Sequence, residues 1–170
     1  MQNHLDEAKK LLQKAKEINH NTVTYTLALM REELNLANAT LEDIDSSEDE
    51  VAKMKRLGHL YNARSLLQLI KEKYISDDVT RLLRLMREDL KLANATLEDI
   101  DTSEKEVSEM KRLGHFNQAN RWLQLIREGY ITKYLTETLD YIREDLKLAN
   151  ATLEDIGTSE KEIAEMTKEK

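Results

Sequence analysis

Acidic residues crowd the stretch EDIDSSEDE, Glu42 to Glu50, closely enough to raise the question of calcium. A calcium loop of the helix–loop–helix type needs glycine at its sixth position and a bidentate glutamate at its twelfth. Counted from Asp43, those positions hold Glu48 and Met54, so no metal site is expected. Acids placed where a helix begins are favoured instead by the helix dipole. His59 and His115 each follow a glycine read as a helix end, and neither has a cysteine or a second histidine close in sequence. They read as turn histidines, not as ligands or bases. The chain has no Cys, which removes thiolate nucleophiles and Cys-ligated zinc. It also carries no glycine-rich phosphate loop, nucleophile elbow or paired zinc-ligand motif. The expectation is a protein that is not an enzyme and needs no cofactor.

The elements that must position any site come from a repeat. LANATLEDI occurs three times, as Leu36 to Ile44, Leu92 to Ile100 and Leu148 to Ile156. Met30 to His59 and Met86 to His115 are 56 residues apart and agree at 24 of 30 positions. A third copy begins at Ile142, and repetition at such a period signals stacked helical or strand units. Each unit predicts three helices. Helix B carries Leu60, Ala63, Leu66, Leu67, Ile70 and Tyr74 along one face, and helix C carries Val79, Leu82, Leu83, Met86, Leu90 and Ala93. Leu85 and Leu92 widen the second stripe. Helix A starts at the S-x-x-E boxes Ser47/Glu50, Ser103/Glu106 and Ser159/Glu162, turns Val107, Met110 and Leu113 inward, and stops at Gly114.

LANATLEDI then reads as the corner from C to A. Asn38 and Asn94 suit a left-handed helix end, and Thr40 or Thr96 opens a short turn closed by Asp43 or Asp99. Ile44 and Ile100 are expected to tuck under the next helix. The predicted fold is all-α: a single repeat domain over 1–170, with units near 1–57, 58–113 and 114–170 and about nine helices. Composition agrees, with no Pro, four Gly and 35% charged residues.

No apolar run is long enough for a membrane span or a signal peptide, so a cytoplasmic protein is the default expectation. Net charge is −7, shared as −3, −1 and −3 among the three units. Without a basic unit, binding to nucleic acid is disfavoured, because phosphate contacts supply most non-specific affinity. Arg64, Lys71, Lys73, Arg121, Arg127 and Lys133 could form a local basic stripe, but Glu72, Asp77, Asp78 and Glu128 interrupt it. Single-stranded RNA binding is therefore kept only as an alternative.

Helix B with helix C, as in HLDEAKKLLQKAKEINHNTVTYTLALM and GHFNQANRWLQLIREGYITKYLTETLDYI, resembles the helix pairs of tetratricopeptide and pentatricopeptide repeat proteins. Ala8, Ala63 and Ala119 stand where those pairs cross. The resemblance implies a right-handed α-solenoid-like array. The 56-residue period and the added helix A depart from tetratricopeptide units of roughly 34 residues.

Between copies, the corner is constant while helix B and the start of helix C change. Leu66 becomes Trp122, Asp78 becomes Tyr134, Leu85 becomes Tyr141 and Arg84 becomes Asp140. A constant frame with changing side chains suits a scaffold or adaptor that binds a protein or peptide, as a monomer or weak dimer. Tyr61, Arg64, Asp78, Arg121, Tyr134 and Glu137 are the expected partner contacts, with Tyr130, Tyr141 and Trp122 as further aromatic candidates. Trp122, in the place of Leu66, reads first as core filling. A duplicated or designed repeat without a natural ligand is a further alternative.

Overall fold

A computed structural model describes residues 2–18, 22–72 and 78–168. The described residues are helical, with no strand: α1 Gln2–Glu17, α2 Thr22–Leu36, α3 Glu48–Lys71, α4 Val79–Leu92, α5 Glu104–Arg127, α6 Leu135–Leu148 and α7 Glu160–Lys168. Short 3₁₀ turns at Glu42–Ile44, Leu97–Ile100 and Glu154–Ile156 precede α3, α5 and α7. No described helix is long and apolar enough to cross a membrane.

Among the described residues there are seven α-helices, where nine were expected. The cause is local: helices A and B run together as α3 and as α5, each 24 residues long. Gly114 is therefore not a stop. It sits buried inside α5, and a Cβ built on it would lie 2.8 Å from Cβ of Val79. Glycine in a helix interior costs about 1 kcal/mol relative to alanine, so its place here is explained by the close approach it permits. Two face assignments also change: Leu113 is 40% exposed and Leu92 is 67% exposed. Tyr74 lies outside the described residues.

The described residues form two compact units, within 1–68 plus 84–102 and within 69–83 plus 103–170, and the division falls inside α3 and α4. In the first, Ala8 and Leu12 of α1 meet Leu27 and Met30 of α2, with Ile44 and Val51 closing the core. In the second, Ala119 and Leu123 of α5 meet Leu139, Ile142 and Leu146 of α6, with Ile156 and Ile163 beneath. Ala8, Ala63 and Ala119 are all at 0% exposure.

The corner is built as its residues predict. Asn38, Asn94 and Asn150 have φ of 51°, 49° and 51°, the left-handed geometry that asparagine tolerates better than most residues. The next residue's N–H reaches back over the helix end, Ala39 to Leu34 O, Ala95 to Leu90 O and Ala151 to Leu146 O, each at 2.9 Å. The N–H groups of Thr40, Thr96 and Thr152 donate to Asp43, Asp99 and Asp155 Oδ2 at 2.7, 2.8 and 2.7 Å. A second left-handed residue, Asp45, Asp101 or Gly157, then turns the chain into the serine cap. Ser47, Ser103 and Ser159 Oγ accept from the N–H of Glu50, Glu106 and Glu162, each at 3.3 Å. Glu50 and Glu162 also receive a hydroxyl from the residue before the cap, Ser46 to Glu50 at 3.0 Å and Thr158 to Glu162 at 2.8 Å.

Candidate functional site

Helical spacing gathers the groove-forming residues of the second unit. On α5, Gly114, Gln118 and Trp122 recur every four residues and share a face with His115; on α6, Tyr141, Glu144, Asp145 and Leu148 do the same. Between these faces, and reaching Asp78 and Val79 at the start of α4, lies a groove of about 400 Å³. This volume lies within the range of small-ligand and peptide side-chain sites. Among the described residues its apolar lining comes from Val79, Trp122, Tyr141 and Leu148, and its polar lining includes three carboxylates and no Lys or Arg. Tyr141 is 57% exposed. Trp122 is half-buried, packing against the core beneath while lining the groove above, so it joins the core-filling role expected of it to an accessible one.

The groove floor is fixed by a bond that the sequence did not suggest. His115 Nδ1 lies 2.9 Å from Asp145 Oδ1, linking α5 to α6. A carboxylate can only accept here, so Nδ1 carries the proton. The equivalent bonds are His59 to Asp89 at 2.9 Å and His4 to Glu33 at 2.7 Å. In the first unit, Asn62 also donates to Asp89. His59 and His115 are thus mid-helix residues tying neighbouring helices, not turn residues. Each partner is about 30 residues away in sequence, beyond the reach of motif spacing. The available signal was that both series recur, His4, His59 and His115 alongside Glu33, Asp89 and Asp145.

The arginines act on the corners. Arg56 Nε donates to Ala93 O at 3.1 Å and Arg112 to Ala149 O at 3.5 Å, taking up carbonyls at helix ends. Arg31 pairs with Glu48 at 2.6 Å and Arg143 with Glu160 at 3.0 Å, each joining a helix to the start of the next. The Arg31 hydrogen bond holds the Glu48 carboxyl below its ordinary value. Each of these two pairs lines a shallow cleft at its corner. The acids of the rejected calcium loop have the same kind of work: Asp43 serves Thr40, Glu48 serves Arg31 and Glu50 serves Ser46. Among the described residues no group of three or more His, Cys, Asp or Glu is placed to hold a metal ion.

Of the six expected contacts, Asp78 alone lines the groove, where it also meets Arg81 at 3.6 Å. Tyr134 is the left-handed residue before α6, 74% exposed, and Glu137 lies in the first turn of that helix. Arg121 is exposed on α5. In the first unit, Tyr61 is 47% exposed on α3, while Arg64 donates to Asp99 O at 2.9 Å and so braces the corner. Arg127 is likewise engaged, by Glu162 at 2.9 Å and Gly157 O at 2.8 Å, and Lys73 lies outside the described residues. No protein-family model, characterised protein or solved structure matches the chain.

Proposed function

We propose that the protein is a non-enzymatic scaffold or adaptor, an α-solenoid-like helical repeat that binds a segment of a protein or peptide partner. The observation that carries this reading is the groove of the second unit, where Trp122 and Tyr141 occupy positions that change between copies. Trp122 stands where the preceding copy has Leu66, and Tyr141 where it has Leu85. Gly114, His115, Asp145 and Leu148, which line the same groove, match Gly58, His59, Asp89 and Leu92. Aromatic side chains supply much of the contact energy in recognition, so their appearance on a repeated frame is what a binding site would require. Asp78 borders this groove, and Tyr134 and Glu137 extend the candidate surface along the start of α6. Binding to single-stranded nucleic acid is the weaker reading, since Arg64 and Arg127 are occupied by protein acceptors and the groove itself is lined by carboxylates.

Selection from a library of random displayed peptides tests the adaptor reading. The expected result is a recurring peptide family that competes as free peptide and perturbs the emission of Trp122, the single tryptophan of the chain. Failure to enrich any family over bare matrix would count against it.

A further inference from the structure

Resting on that reading, the charges around the groove identify the chemistry of its occupant. In α4, Glu88 is paired one turn back with Arg84 at 3.4 Å. The equivalent positions in α6 are Glu144 and Asp140, so the cation has been replaced by an acid. Arg143 answers Asp140, at 3.4 Å, and Glu160, at 3.0 Å. Among the described residues no cation pairs with Glu144, which lines the groove beside Tyr141 and Trp122. Like charges four residues apart on a helix are unfavourable, which makes an external cation at this point stabilising. Asp145 adds a second carboxylate already bonded to His115, and among the described residues no Lys or Arg lines the groove to compete.

We propose that the groove recognises an arginine of the partner segment together with an adjoining apolar side chain. Glu144 takes the guanidinium, the rings of Tyr141 and Trp122 flank its plane, and Val79 and Leu148 receive the apolar neighbour. Arginine is preferred to lysine because a planar, weakly hydrated guanidinium can stack on aromatic faces while it donates to a carboxylate.

Three synthetic peptides of equal length test this, one alternating Leu with Arg, one Leu with Glu and one Leu with Ser, each titrated at about 0.15 M salt with Trp122 emission as the signal. The Leu–Arg peptide should bind, and Glu144→Gln should weaken it roughly tenfold by removing a charge-assisted hydrogen bond. Glu88→Gln makes the same change of net charge at a residue that does not line the groove and should alter binding less than about twofold. Equal effects of the two substitutions would reduce the attraction to net charge and overturn the assignment. Equal binding of the Leu–Ser peptide would also overturn it while leaving the groove as a peptide site. Silence of Trp122 with all three peptides removes the arginine inference, and the library selection then decides the adaptor reading separately.

Discussion

Asp43, Asp99 and Asp155 lie in solvent, yet each accepts both the backbone N–H and the hydroxyl of the threonine three residues before it. The backbone N–H is the larger cause and the hydroxyl adds to it, and together they hold all three carboxyls below their ordinary value. A depressed carboxylate contributes stability above its unfolded pKa, near 3.9, and loses it as pH falls through the lower folded value. Glu48, Glu109 and Glu162 shift the same way through Arg31, Arg112 and Thr158. Stability should therefore fall as pH drops below about 4, and replacing all three aspartates by asparagine should flatten that dependence without abolishing it. Urea unfolding at a series of acidic pH values measures the slope; an unchanged slope would assign acid sensitivity to other groups. At this scale the sequence was readable, because a threonine and an aspartate three apart, an asparagine at a helix end and a serine before a glutamate act on backbone groups within one turn.

Elements were harder to read than residues. A glycine at the end of an apolar stripe looks the same in sequence whether it ends a helix or admits a neighbour, and Gly114 does the second. The deciding quantity is its distance to Val79, set by the path from α4 to α5 and absent from any local pattern. The same difficulty hid the histidine bond between α5 and α6, whereas the burial of Ile44 and Ile100 followed from the corner itself. Gly114→Ala should cost roughly 1–2 kcal/mol, the steric strain exceeding the gain in helix propensity. Val79→Ala in the same chain should recover part of that loss, because it removes the two methyl groups at 3.2 Å while the closer Cβ stays. Chemical denaturation of the two single variants and the double variant gives the coupling; a Gly114→Ala protein as stable as the parent would show that close approach is not what holds glycine there.

Across the whole molecule, positions that recur every 56 residues build the corners and helix ties, and positions that change supply the aromatic rings of the groove, Trp122 and Tyr141. The contrast between constant and changing positions was legible in sequence, and it drew attention to Trp122 and Tyr141. Their meeting across one groove was not, since it depends on how α5 and α6 pack. The most direct measurement of the division between frame and site is a calorimetric titration of a selected peptide against Trp122→Leu/Tyr141→Leu, paired with thermal melting of the same variant. These substitutions restore the residues of the preceding copy at both positions. Binding should weaken by at least about tenfold, as expected for loss of two central aromatic contacts, while helix content and cooperative melting persist. Unchanged affinity, or loss of the fold along with binding, would contradict the assignment of these positions to a site carried by the repeated frame.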